Sequence, residues 1–367
     1  MAVKNYESID STNDITNTRT LLHEAIPLTG TIVSGTYGLF RSERNIKDYT
    51  HGQFQSVYDY PFLSSSANHI FDITLGYDES SGYSGSASVQ NSKKINMYNQ
   101  FAQVLLGYTS SNSDGIRKFE NDLTLDGNGY MKEVFFVSFS RLLVKDQIKK
   151  GTFSMTFQTG STTAKGGPAA TQITLSDRSA SVNGDGTLNT DGGDYGILYG
   201  GPGYPQGLGT IFYQAGIAVI TASVFGTGSN PLAATIDLPH VVNFNPSHPG
   251  KLTQAVSSSF TGSTISSSCD AFRRRLVNLS FNNTTEINSK IYFCRVPHNK
   301  FNYSSNPTYV SSSKIVVKNQ STDNPVSYIT TVGLYNDSNQ LVAVAKLSEP
   351  LKKDPTNDIT LRVRLDY

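Results

Sequence analysis

The chain ends in a stretch whose side chains alternate with period two, and that alternation confines it to paired β-strands. Val332, Leu334, Leu341, Ala343, Ala345 and Leu347 alternate with their neighbours, and Asn336-Asp-Ser-Asn339 sets a cluster of turn formers between the two runs. A closing strand follows, with Ile359, Leu361, Val363 and Leu365 set against Thr360, Arg362, Arg364 and Asp366. One of its faces is apolar and the other polar. Nothing in this hairpin and returning strand carries chemistry; it is a surface to be paired, either with the chain's own core or with a neighbour.

Composition agrees with a β-rich chain that buries large surfaces. Charged residues make up 16% of the 367 residues, against roughly 25% in ordinary soluble proteins, and Gly, Ser, Thr and Asn take the polar positions instead. Burying few charges keeps desolvation costs low at interfaces. Thirty basic and 29 acidic residues leave a formal net charge of +1, so no global field draws the chain to nucleic acid or an anionic membrane. The N-terminal residues Met1-Ala-Val-Lys-Asn-Tyr-Glu-Ser8 lack an apolar leader core, and the apolar run near Phe212 to Phe225 is broken by Gln214 and Gly216. The expectation is a protein neither secreted nor inserted in a membrane. Cys269 and Cys294 have no metal-type spacing and read as two reduced, buried thiols.

Four segments follow from texture. Residues 1–30 read as an extended N-terminal arm, in which Leu21, Leu22 and Ala25 suggest one or two helical turns ahead of Pro27. Residues 31–158 read as an α+β domain. Its helix carries Ile95, Tyr98, Phe101, Ala102, Leu105 and Leu106 on one stripe and ends at Gly107. Strands are expected at Glu133 to Phe139 and Thr152 to Phe157, and Arg141 to Ile148 fits either a strand end or a helical turn. Residues 159–256 form a Gly-rich insertion of loops and short strands, at Gln172 to Leu175, Ile197 to Tyr199 and Ile211 to Ala222. Residues 257–367 join a helix to the C-terminal β domain. That helix carries Ile265, Cys269, Phe272 and Leu276 on one stripe, Ser263 as its N-cap, and Arg273-Arg-Arg275 as a solvated or interface-facing end. Strands then follow at Val277 to Phe281, Ile287 to Arg295 and Lys314 to Lys318. The fold class expected is α+β, β-dominated, with mixed or antiparallel sheets and two or so amphipathic helices.

Catalytic and metal signatures are missing from the pattern. The six histidines, His23, His51, His69, His240, His248 and His298, show no paired spacing. The acidic loops Asp126 to Glu133 and Asn183 to Asp194 lack the ligand spacing of a calcium hand and have the residues that turns require. Gly201-Pro-Gly-Tyr-Pro-Gln206 holds prolines where a phosphate-cradling loop enters its helix. The reading is of a non-enzyme with no cofactor and no resident metal.

The run YITTVGLYNDSNQLVAVAKLSEPL with its closing LRVRLDY resembles the C-terminal segment of virion structural proteins of contractile-tailed, T4-like bacteriophages. Lys94 to Gly107, Phe135 to Ile148 and Gly209 to Ile220 resemble the same group. The resemblance implies a structural subunit of the virion, a tail or baseplate (wedge-type) component assembled in the host cytoplasm. Its partners would be other phage structural proteins and copies of itself, with no nucleic acid and no membrane insertion. Leu334, Val342, Val344, Leu361, Val363 and Leu365 are the interface or core residues expected. Two alternatives stay open: a receptor- or glycan-binding tail module with Tyr58, Tyr60, Phe301 and Tyr303 as contact aromatics, and a neck- or capsid-associated structural protein.

Overall fold

The computed structural model describes residues 6–27, 45–85, 88–110, 112, 114–158, 172–180, 186–200, 207–225, 264–304, 309–311, 314–315, 320 and 322–367. In chain order the first elements are β1 (Ile15–Pro27), β2 (Ile46–Asp48), β3 (Gln55–Tyr58), β4 (His69–Tyr77), α1 (Asn91–Leu105), β5 (Glu133–Phe139) and α2 (Arg141–Val144). Then come β6 (Gln147–Ile148), β7 (Ser154–Gln158), β8 (Gln172–Ser176), β9 (Thr187–Thr190), β10 (Gly193–Tyr199), β11 (Gly207–Phe212), β12 (Ile217–Thr221) and α3 (Ile265–Arg275). The last are β13 (Leu276–Val296), β14 (Val310–Ser311), β15 (Lys314–Ile315), β16 (Ser327–Tyr335), β17 (Leu341–Lys353) and β18 (Ile359–Asp366). The fold is α+β and dominated by β-structure, with 48% strand against 11% helix among the described residues. Two compact units are present, Leu22–Thr285 and Met1–Leu21 with Glu286–Tyr367; β1 and β13 each pass from one into the other.

In the Leu22–Thr285 unit an antiparallel sheet runs β13-β7-β8-β10-β11-β12-β5-β4-β3-β2. Between β12 and β4 lies β5, whose sequence EVFFVSF is apolar on both faces because both faces are covered. Val134 and Phe136 pack with Tyr98, Ala102 and Leu105 of α1, and Phe135 and Val137 pack on the other side with Cys269 and Phe272 of α3. The rings of Phe135 and Phe272 lie 4.8 Å apart. Close approach of α1 to the sheet depends on Gly76, where a Cβ would stand 2.6 Å from the Tyr98 nitrogen. The expected helix stop holds as well: Gly107 has φ +78°, in the left-handed region.

Several local expectations change. Thr18 to Ala25 belongs to strand β1 and forms no helical turn. Its backbone pairs along β13, and a ladder outcompetes a one-turn helix that pays nucleation without propagation. Ile211 to Ala222 is a hairpin: β11 and β12 reverse through Tyr213 to Gly216, where Gly216 takes φ +67°. The strands expected at Val277 to Phe281 and Ile287 to Arg295 form one 21-residue strand. Asn283, between the two expected segments, donates through Nδ2 to the Leu143 carbonyl (2.9 Å) and accepts from the Glu24 N–H (3.1 Å). Arg141 to Ile148 splits into α2 and β6. Arg273 is wholly buried, not solvated: Nη2 meets Asp270 Oδ1 at 2.6 Å and Nε donates to Gln55 Oε1 at 3.0 Å. Ser263 lies outside the described residues.

In the other unit β18 pairs antiparallel with β13, from Ser289 opposite Asp366 to Val296 opposite Ile359. β16 and β17 form a separate two-stranded ribbon. The end of β17 is fastened by Lys353, whose buried ammonium donates to Asn302 Oδ1 (2.8 Å), the Asp354 carbonyl (2.7 Å) and the His298 carbonyl (3.2 Å).

Candidate functional site

The hairpin read from the sequence forms where expected, and its turn is built by its own amides. Gln340 N–H donates to Asn336 Oδ1 (2.8 Å), Asn336 N–H to the Gln340 carbonyl (3.0 Å), and Asn339 adopts φ +58°, which Asn tolerates better than most residues. Register runs from Thr331 opposite Lys346 to Leu334 opposite Ala343, then shifts so that Tyr335 faces Leu341. Beyond Lys346 a second irregularity carries Leu347 to Pro350 past the ladder, and pairing resumes at Ile329 opposite Leu351. Pro350 has no N–H to give a ladder.

The two faces of the ribbon differ. Val332, Leu334, Ala343, Ala345 and Leu347 are buried or half-buried. Val342 and Val344, on the other face, are 67% and 52% exposed. Gly333 lies beneath the Tyr335 ring and Leu341: a Cβ there would sit 3.0 Å from the ring and 3.1 Å from Leu341 Cδ1. Tyr6 meets Tyr335 edge-on at 5.1 Å. The result is an exposed strip of Tyr6, Tyr335, Leu341, Val342 and Val344. Among the described residues no third strand joins either edge of the ribbon.

The remaining interface candidates sit elsewhere. Leu361 and Val363 are buried and Leu365 is half-buried, opposite Cys294, Tyr292 and Lys290 of β13. Leu334 is buried as well, so of the six residues only Val342 and Val344 are openly presented. The sequence pattern does not single out Tyr335 or Tyr6, although an aromatic directly before the Asn336 cluster was a signal; Leu341, which alternates in step with Ala343 and Ala345, is instead exposed beside the register shift at Tyr335. Beside the ribbon's end, hydrogen bonds from Thr356 hold the Asp354 carboxyl below the usual carboxylate range.

Of the contact aromatics, Tyr58 is half-buried at the end of β3, with its ring 5.5 Å from His69 and 6.1 Å from Phe62, while Tyr60 is exposed. Phe301 and Tyr303 belong to the other unit; both are exposed, and Tyr303 packs edge-on against Tyr309 at 5.7 Å.

Among the described residues no group of three or more His, Cys, Asp or Glu side chains is placed to hold a metal ion. The acidic loops use their carboxylates as turn acceptors: Asp126 Oδ1 takes the Asn128 N–H (2.9 Å), and Asp194 takes Asn189 Nδ2 (2.7 Å) and Lys150 Nζ (2.6 Å). Asp185, His240 and His248 lie outside the described residues. Cys269 and Cys294 form no disulfide; the first is buried, with Sγ donating to the Ile73 carbonyl (3.2 Å), and the second is half-buried. No described helix is long and apolar enough to cross a membrane. Compared with known proteins, the chain matches no family model, no curated protein and no solved structure.

Proposed function

We propose that the chain is a structural subunit of a bacteriophage virion, a tail or baseplate component that scaffolds its neighbours through sheet edges and exposed apolar strands. The observation that carries this reading is the β16–β17 ribbon. A two-stranded ribbon is marginal by itself in water, and this one also presents Val342, Val344, Leu341 and Tyr335 outward. Open ladder edges beside exposed β-branched residues are what a partner strand or sheet covers. The sequence resemblance of this same segment to virion proteins of contractile-tailed phages supplies the kind of partner. On this reading the chain is not an enzyme, and it acts by position.

The test uses the chain in its particle. A tag on this chain, imaged at low resolution, should decorate the tail or baseplate of assembled virions. Particles carrying Val342→Asp with Val344→Asp should fail to incorporate the subunit, while the purified variant melts like the parent because both positions are exposed. An untagged tail, or full incorporation of the double variant, overturns the reading.

A further inference from the structure

On the Leu22–Thr285 unit a cleft of about 520 Å³ opens between three loops and the buried side of α1. That size lies within the range of small-molecule sites, roughly 300–1,000 Å³. Most such sites are walled by apolar side chains, and this one is not. Its centre is Lys118, whose ammonium lies 2.7 Å from Asp78 Oδ2 and is also paired with Asp114. Ser80 donates to Asp78 Oδ1 through both its N–H (2.9 Å) and its hydroxyl (2.6 Å), fixing that carboxylate. Asn112 adds an amide to the lining, and Tyr130, 38% exposed, supplies a ring. Tyr98 is locked, donating to the Met131 carbonyl and accepting from the Phe119 N–H, both at 3.1 Å.

The chemistry of this lining narrows the ligand. Three carboxylates, Asp78, Glu79 and Asp114, face two ammonium groups, Lys118 and Lys132, a formal excess of one negative charge that disfavours phosphates and other anions. Burial pushes Asp78, Asp114 and Lys118 toward their neutral forms, but hydrogen bonds outweigh it, from Lys118 and Ser80 to Asp78 and from Lys118 and the Ile116 N–H to Asp114: both carboxyls fall below the usual carboxylate range and the ammonium rises above the usual lysine range. The cleft therefore keeps fixed charged acceptors beside a fixed charged donor. Charge-assisted bonds of both senses, closely spaced, match a ligand whose every polar group both donates and accepts. Hydroxyl groups do so. A ring such as Tyr130 offers a flat apolar surface for the C–H face of a pyranose.

We propose that this cleft binds a neutral saccharide of one or two rings, with Asp114, Lys118 and Asn112 on the hydroxyls, Asp78 holding Lys118 in place from behind, and Tyr130 against the ring face. The site is independent of the scaffolding reading, and either stands without the other. None of Tyr58, Tyr60, Phe301 or Tyr303 lines it.

Saturation-transfer NMR and calorimetry on the full chain, with glucose, galactose, N-acetylglucosamine, maltose and lactose as probes, test the proposal for free sugars. An immobilised glycan array tests it for glycan ends. Saturable binding to at least one probe is expected, weakened about tenfold or more in Tyr130→Ala and retained in Tyr130→Phe, which keeps the ring. Asp114→Asn should weaken binding too, whereas Tyr60→Ala, outside the cleft, should not. Failure of every free sugar and every arrayed glycan to bind overturns the proposal. So does sugar binding that Tyr130→Ala leaves unchanged, or displacement of the bound sugar by a simple polyamine such as spermidine at equal concentration.

Discussion

Replacing Asp270 by alanine should damage the Leu22–Thr285 unit far more than its position on a Ser-rich helix suggests. Asp270 and Arg273 have no accessible surface, and Asp270 Oδ1 accepts from both Arg273 Nη2 (2.6 Å) and Gln55 Nε2 (2.8 Å). Removing the carboxylate takes the Asp270 charge away from the buried guanidinium of Arg273, at a cost of about 3–5 kcal/mol. Gln55 keeps its bond to Asp48 Oδ1 (2.9 Å), so the amide adds little to that figure. Deleting both charges together, as Asp270→Leu with Arg273→Met, should cost much less, because a buried pair roughly breaks even with apolar packing of similar volume. The chain has no Trp, so urea unfolding is best followed by far-UV circular dichroism and tyrosine fluorescence. At about 2–4 °C per kcal/mol for a unit of this size, Asp270→Ala should also lower the melting temperature by roughly 10 °C. A single variant within about 1 kcal/mol of the parent, or a double variant as damaged as the single, would refute the view that this pair is desolvated and coupled.

Lys94 offers a pH test. Burial pulls its pKa from 10.5 down to about 8. Between those values the unfolded chain holds a proton that the folded chain has released, so stability rises as pH rises through that window; below about pH 8 the full cost is present. Lys94→Met should therefore stabilise the protein at pH 7, by at most about 3 kcal/mol at 1.36 kcal/mol per unit, with the gain fading towards pH 10.5. A gain independent of pH would show that packing, not charge, is responsible. Gly76→Ala should destabilise by about 1–3 kcal/mol, since its Cβ meets the backbone of α1 at 2.6 and 2.8 Å; an unchanged urea midpoint would mean the helix can withdraw at no cost.

Much of the architecture was legible because periodicity is a local property. The α1 stripe, the α3 stripe as far as Phe272, strand β5 and the Asn336 turn all follow from side chains within one element, whereas Leu276, expected on the α3 stripe, opens strand β13. The errors share one physical source, namely neighbours remote in sequence. Arg273 lies on the same buried side of α3 as Cys269 and Phe272, but its burial depends on Gln55, more than two hundred residues earlier. Lys94 stands four residues before Tyr98 on the buried stripe of α1, and only the covering sheet turns that placement into a shifted pKa. Thr18 to Ala25 became a strand because β13 runs beside it.

The sequence by itself determined that the chain would be a β-dominated α+β protein ending in a hairpin and a strand of alternating polarity, since a period of two is set by backbone geometry alone. It did not determine which face of the hairpin is covered. Both faces are apolar, Val342 and Val344 on one and Ala343 and Ala345 on the other, and alternation cannot rank two apolar faces. Only the tertiary structure decided that the valines face outward. The cleft around Lys118 is likewise tertiary: Asp78, Tyr98, the Asp114–Lys118 pair and Tyr130 come from four segments that carry no shared motif, and they line one cavity only in the folded chain.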